Sequence, residues 1–363
     1  MNDIYYLLLW TIFFVLSIMH FFGVLKYSKH LTSVLLLVIS FFVGYRNNIG
    51  LDWISYVDFY NSGVAADKLS GAYEPVFMLA RWLFYSLGFR YEVFFLFLSF
   101  ISLYLIKKCA EQLGVKNTYL VFLVYVSLFF CIFQFNIVRS GLMASCLWVA
   151  FTTSKEGKNK KAILWCFVAA GFHVVALLFI PLLLIINKSY SLKWVIGILL
   201  VGYVVMSFHI GDIFLDYFPF LKSIDRVAGY LDNDGEGSRG ITLGAAFNLV
   251  FSLYLYFSRK DQYNQAPNFR LIINALIWGL FVTSFFNSIG MIATRVGQVL
   301  NMSLIFAWPY FIHSIKNKGV AICAFLLMTV YLVMFYNKAF LPNEILGYSP
   351  IFPFEYNFTG VFR

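Results

Sequence analysis

Acidic residues and arginines stand where long apolar runs give way to polar ones, positions at which a charge has to be useful or paired. Residues 45 to 56 read Tyr45-Arg46-Asn47-Asn48-Ile49-Gly50-Leu51-Asp52-Trp53-Ile54-Ser55-Tyr56, and Tyr73-Glu74-Pro75 follows. Asp52 and Glu74 supply carboxylates able to exchange a proton with a hydroxyl. Arg46 can hold a phosphate at the interface, and Gly50 allows the backbone a close approach. Trp53, Tyr56, Tyr60 and Tyr73 offer ring faces of the kind that stack on sugars. A wetted loop edged by the usual interfacial aromatic belt fits the same residues.

Arg139 lies one turn into an apolar helix, where an unpaired charge costs roughly 2.5 kcal/mol or more. It therefore needs a partner, either an acidic side chain or an anionic ligand. Arg295, on the helix that also carries Gln298 and Asn301, poses the same alternative. His173, in Gly171-Phe172-His173-Val174, has no second histidine at ligand spacing. It reads either as a satisfied core histidine or, if the run breaks there, as an acid/base or hydrogen-bonding group. Asp232-Asn233-Asp234-Gly235-Glu236-Gly237 begins like a calcium loop, but Leu243 stands where the closing Glu is required, which favours a solvated acidic tip. No metal and no cofactor is expected. The five cysteines are scattered in or beside apolar runs without CxxC or Cys/His spacing, so neither disulfides nor zinc is expected.

The elements that position these groups are membrane helices. Of 363 residues, 61% are hydrophobic and 12% charged, and the mean hydropathy is +0.79. Apolar runs able to cross about 30 Å of hydrocarbon at 1.5 Å per residue recur from Tyr5 to Tyr336. The first, Tyr5 to Leu25, lacks a basic start and a small-residue cleavage site, and reads as a retained helix. The net charge of +10 has no soluble basic domain to carry it, which argues against nucleic acid. Lysine clusters at 26/29, 107/108/116, 155/158/160/161, 188/193, 260 and 316/318 mark cytoplasmic loops.

Both termini then fall outside. The prediction is an all-α polytopic integral membrane protein, a single membrane domain over residues 1–363 with about 10 to 12 transmembrane helices. Outer loops at 46–74 and 210–240 and an outer C-terminal tail at 338–363 complete it. Pro75 to Gly88 reads as a re-entrant or interfacial helix, and the run Ala162 to Ile186 as two short half-helices turning near Gly171-Phe172-His173. With topology set by lysines, Arg46, Arg81, Arg90, Arg139, Arg226, Arg239, Arg295 and Arg363 fall on the outer side, leaving only Arg259 and Arg270 inside. Arginine presents a planar fork suited to phosphate oxygens, so the outer face suits an anionic ligand.

Together Arg46-xxx-Gly50-x-Asp52, Tyr73-Glu74-Pro75, Ile137-Val138-Arg139, Phe172-His173 and Thr294-Arg295, with the ending Tyr348-Ser349-Pro350 and Phe352-Pro353-Phe354, resemble the EpsG-like branch of Wzy-type polysaccharide polymerases. Ser140 stands where that branch often has Gln, and Val-Val-Ala follows His173. The resemblance implies a glycosyltransferase of the bacterial cytoplasmic (inner) membrane, multi-pass, with its active site facing the periplasm or exterior. It would move a growing glycan from undecaprenyl diphosphate to the nonreducing end of another lipid-linked repeat. Its partners would be the lipid-linked donor and acceptor, membrane lipid and a chain-length regulator. In that chemistry Asp52 is the first choice of base and Glu74 the second, with His173 a third catalytic candidate. Arg46, Arg139 and Arg295 would hold the diphosphate, while Trp53, Tyr56 and Tyr73 would bind sugar. A lipid-linked glycan flippase, a glycan ligase and a membrane O-acyltransferase are the competing readings.

Overall fold

The computed structural model describes residues 4–62, 74–208, 243–287, 290–338 and 340. Tyr73, the acidic tip at 232–237 and the aromatic tail from 341 lie outside the described residues. All regular elements among the described residues are helical. In chain order they are α1 (Ile4–Phe21), α2 (Lys29–Gly44), α3 (Trp53–Asn61), α4 (Pro75–Ser86), α5 (Tyr91–Gln112), α6 (Thr118–Leu128), a π-helical turn (Cys131–Asn136), α7 (Val138–Lys155) and α8 (Asn159–Ala170). A 3-10 turn (Val174–Phe179) runs into α9 (Ile180–Leu183). Then follow α10 (Leu192–Ser207), α11 (Leu243–Ser258), α12 (Lys260–Gln265), α13 (Pro267–Phe285), α14 (Gly290–Asn301), α15 (Leu304–Ser314) and α16 (Lys318–Lys338).

Among the described residues, α1, α5, α13 and α16 are long and apolar enough to cross a membrane, and five shorter apolar helices of 10–17 residues accompany them. This is the build of a multi-pass membrane protein, with fewer full-length candidates than the 10 to 12 predicted. The shortfall has local causes. The segment after Asn117 is split by the π-helical turn, and α7 is made polar by Arg139, Ser140, Ser145, Thr152, Thr153 and Ser154. Almost every residue of α7 is buried by other helices, so its surface need not match lipid. Gly141, Ala144 and Ser145 are the small residues that allow close helix packing there.

Two compact units make up the chain, one comprising Met1–Leu183 with Trp308–Arg363 and the other Leu184–Ala307. Hydrogen bonds define two ends in the first unit. At one, the Tyr336 hydroxyl donates to the Tyr6 carbonyl at 2.8 Å, joining the end of α16 to the start of α1. The Val76 amide donates to the Gly171 carbonyl at 2.9 Å, seating the start of α4 on the end of α8. At the other, the Ser28 amide donates to the Tyr119 hydroxyl at 3.2 Å, Lys107 Nζ to the Lys29 carbonyl at 3.1 Å and Lys155 Nζ to the Gln112 carbonyl at 3.2 Å. Helices α1, α2, α5, α6, α7 and α8 therefore alternate in direction, and α16 runs parallel to α8. Arg46, Arg90 and Arg139 gather at one end, and the lysines of residues 26–29, 107–116, 155–161 and 316–318 at the other.

The second unit has its own polar end. Asn274 Nδ2 donates to the carbonyls of Ile186 and Lys188 at 2.6 and 2.7 Å, and Arg270 Nε to that of Asn187 at 2.9 Å. These bonds collect Lys188, Lys193, Lys260 and Arg270 around the start of α13, whereas Arg295 lies on α14, beyond the opposite end of α13.

The apolar run around His173 breaks where the sequence predicts. Helix α8 stops at Ala170, His173 is extended, and the 3-10 turn begins at Val174. Helix α4 is 12 residues long, about 18 Å at 1.5 Å per residue, too short to cross a bilayer. It buries Phe77 and Arg81 and exposes Leu79, Trp82 and Leu83, an apolar face suited to the membrane interface.

Candidate functional site

The site is built on one irregular turn. Helix α2 ends at Gly44, after which Asn48 and Gly50 both take positive φ, 52° and 102°. An added Cβ at Gly50 would overlap the Phe135 carbonyl, so glycine is required by both conformation and space. The Leu51 amide donates to Asn136 Oδ1 at 2.9 Å, pinning the turn to the π-helical segment. We expect Gly50→Ala to lower folding stability by about 2 kcal/mol or more, read as an early melting transition of the purified protein; an unchanged transition would contradict this close approach.

Arg46 is fully enclosed. Its Nη1 donates to the Val43 carbonyl at 2.6 Å, Nε to that of Ile49 at 3.1 Å and Nη2 to that of Phe135 at 3.5 Å. The guanidinium also sits 5.2 Å from the Phe95 ring centroid and 5.5 Å from that of Phe135, at 0% exposure. This differs from the open phosphate contact expected at Arg46. Here the side chain shapes the turn that presents Asp52, because a buried guanidinium has to spend its donors on nearby carbonyls.

Asp52 precedes α3 and makes no side-chain cap with it. The carboxylate is half-buried at the mouth of the turn. One turn later Tyr56, 3% exposed, packs edge-on against Phe77 and Phe95. Burial raises its phenol above the ordinary range, the Arg139 guanidinium opposing that shift and Asp52 adding to it. Trp53 packs edge-on against Tyr91 at 6.1 Å.

Arg139, in the first turn of α7, finds the partner that its position demands. Its Nη1 lies 2.6 Å from Glu74 Oε2, with the two side chains 19% and 7% exposed. Glu74 Oε1 accepts the Val174 amide at 3.4 Å, so this carboxylate ties the start of α4 to α7 and to the 3-10 turn. Gly171 makes the docking possible, since a Cβ there would overlap Val76. His173, 4% exposed, accepts the Val175 amide on Nδ1 at 3.4 Å and thereby caps the 3-10 turn.

Asp52, Tyr56, Glu74, Arg139 and His173 thus share the arginine-bearing end of the first unit. Arg295 belongs to the second unit and Tyr73 lies outside the described residues. Two further groups, to which the sequence reading gave no site role, support the site. Arg81 donates from Nε and Nη2 to the Tyr60 carbonyl at 3.2 and 2.9 Å, fixing the end of α3. Gln134 Nε2 donates to the Tyr125 hydroxyl at 2.8 Å and holds the π-helical segment from behind. An arginine in a helix too short to span was the one available signal for the first; Gln134 was visible only as a polar residue in a tight connection.

Fold and site together define a multi-pass helical membrane protein with paired and half-buried charges at one end of a bundle. The family model for the EpsG family matches residues 29–356, and the chain belongs to that family, one of Wzy-like polysaccharide polymerase-type proteins. No curated protein and no solved structure matches it. At this level the role is that of a polysaccharide polymerase, glycosyltransferase-like in its chemistry.

Proposed function

We propose that the protein joins lipid-linked oligosaccharide repeats, transferring a growing glycan from undecaprenyl diphosphate to a sugar hydroxyl of a second lipid-linked repeat. A hydroxyl oxygen of the acceptor attacks the anomeric carbon of the donor. The new glycosidic bond forms as the bond from that carbon to the diphosphate oxygen breaks, and undecaprenyl diphosphate leaves with the electron pair. The hydroxyl proton passes to Asp52. The observation that carries this reading is that Asp52 and Arg139, the latter paired with Glu74, both act on the buried Tyr56 in a chain of this family.

Glu74 has both oxygens engaged, by Arg139 and by the Val174 amide, which suits a positioning carboxylate; Asp52, half-buried just before α3, takes the role of base. Arg139, still 19% exposed, brings its guanidinium charge to the developing negative charge on the diphosphate. Arg295, on the second unit, stands as a separate candidate for an anionic group. His173 positions the 3-10 turn and Arg46 positions Asp52; Tyr56, buried against Phe77 and Phe95, backs the site and does not meet sugar as the sequence suggested, which leaves half-buried Trp53 as the sugar-facing ring.

Purified protein in vesicles, supplied with lipid-linked repeats alone, tests the reading. Products lengthening by whole repeats, with one undecaprenyl diphosphate released per linkage, are expected. Movement of repeats across the bilayer without lengthening would replace it with a flippase. The site faces the exterior or periplasm in this proposal, because the lysine-rich end belongs in the cytoplasm. Single cysteines at Ser62 and Ser238 in a cysteine-free background should react with an impermeant reagent in spheroplasts; protection of both would reverse the orientation.

A further inference from the structure

At the lysine-rich end of the first unit, opposite the transfer site, a cavity of about 170 Å³ opens between the end of α1, the end of α15 and the start of α16. Its described lining divides by chemistry. Phe21, Phe22, Ile312, Ile315, Ala321 and Ile322 form an apolar wall, while His313 and Lys318 are the titratable groups. None of these residues is acidic. We propose that this cavity binds an anionic phospholipid of the surrounding leaflet, its phosphate against Lys318 and His313 and its acyl chain along the apolar wall.

Three observations support that occupant. First, His313 Nε2 is buried and has no hydrogen-bond partner among the described residues. Its ring is flanked by the rings of His20 and Phe21, each with its centroid 6.4 Å away. His20 Nδ1 donates to the Leu25 carbonyl at 2.9 Å, and His313 Nε2 makes no hydrogen bond to the His20 ring. A buried ring nitrogen in this state calls for an external hydrogen-bonding group. Second, the surroundings are cationic: Lys116 acts electrostatically on His313, and Lys316 and Lys318 are exposed at the start of α16. Lys318 opens α16, where the helix dipole disfavours a cation and favours a bound anion beside it. Third, exposed apolar residues stand beside the cavity, Phe22 at 60% and Val320 at 55% exposure. An acyl chain covers such surface, whereas a soluble anion leaves it in water. Basic recesses between membrane helices on the lysine-rich side are suited to anionic headgroups on electrostatic grounds.

The site is independent of the transfer reading and is tested separately. The full chain is extracted with a mixture of phosphatidylglycerol and phosphatidylcholine, and retained lipid is counted by native mass spectrometry. Wild-type protein should keep phosphatidylglycerol in preference. Lys318→Ala should weaken that preference about fivefold, and Ala321→Phe should expel the lipid by filling the wall. Lys160→Ala, which removes an exposed charge at the start of α8, should change nothing. Excess inorganic phosphate should not displace the lipid. Equal retention of the two lipids, an unchanged preference in Lys318→Ala, or displacement by inorganic phosphate alone would each overturn the proposal. Because Lys318 is exposed, its variant folds on general grounds and keeps the test decisive even if Ala321→Phe does not.

Discussion

Replacing Asp52 by Asn should cut turnover by about 10²- to 10⁴-fold while leaving donor binding and the melting temperature nearly unchanged. The substitution preserves size and much of the hydrogen bonding, and removes only the capacity to accept a proton. Asp52 lies at the head of α3 without a side-chain cap bond to it, so loss of its charge should cost α3 no more than about 1 kcal/mol of dipole interaction. Single-turnover assays with purified donor and acceptor, run beside a thermal-unfolding measurement, separate the outcomes. Near-normal chemistry in a folded Asp52→Asn protein would eliminate Asp52 as the base. A large fall in stability would instead make it a structural partner of the turn.

The second large effect concerns the Glu74–Arg139 pair. With a separation of 2.6 Å and little exposure of either side chain, removing one partner strands the other charge, at a cost of about 3–5 kcal/mol. Glu74→Ala and Arg139→Ala should each destabilise by that order, and the double variant should lose clearly less than their sum. Additive losses would mean that the pair is not coupled. Arg139→Lys isolates the functional part. A lysine can keep the ion pair with Glu74 but lacks the planar fork for a diphosphate, so stability should be largely retained while turnover falls about tenfold or more. Wild-type turnover in a normally inserted Arg139→Lys protein would remove Arg139 from the diphosphate contact.

Much of this arrangement was legible in the sequence, because membrane proteins write topology in local composition. Lysine clusters spaced along the chain anticipate the alternating helix directions of the first unit, and Gly171-Phe172-His173 marks the break that ends α8. The charge of Arg139 in an apolar helix likewise required a partner. Which partner was not legible, since Glu74 lies 65 residues away and no periodicity connects α4 to α7. Arg46 shows the opposite difficulty. Its motif with Gly50 and Asp52 was plain, but its enclosure depends on the Phe135 carbonyl, 89 residues distant. Residue type and spacing alone could not tell a ligand-facing arginine from one that folds a turn. The π-helical segment that supplies that carbonyl was also hidden, for an apolar run carries no sign of a widened helical turn.

The central claim is that glycan transfer takes place at the arginine-bearing end of the first unit. Photocrosslinking with a donor analogue bearing a reactive group on the lipid next to the diphosphate tests this most directly, with labelled peptides mapped by mass spectrometry. Labelling should fall on the turn from 46 to 56, on the start of α4 and on the first turn of α7, and excess natural donor should suppress it. Competed labelling confined to the lysine-rich end, around α15 and the start of α16, would contradict the claim.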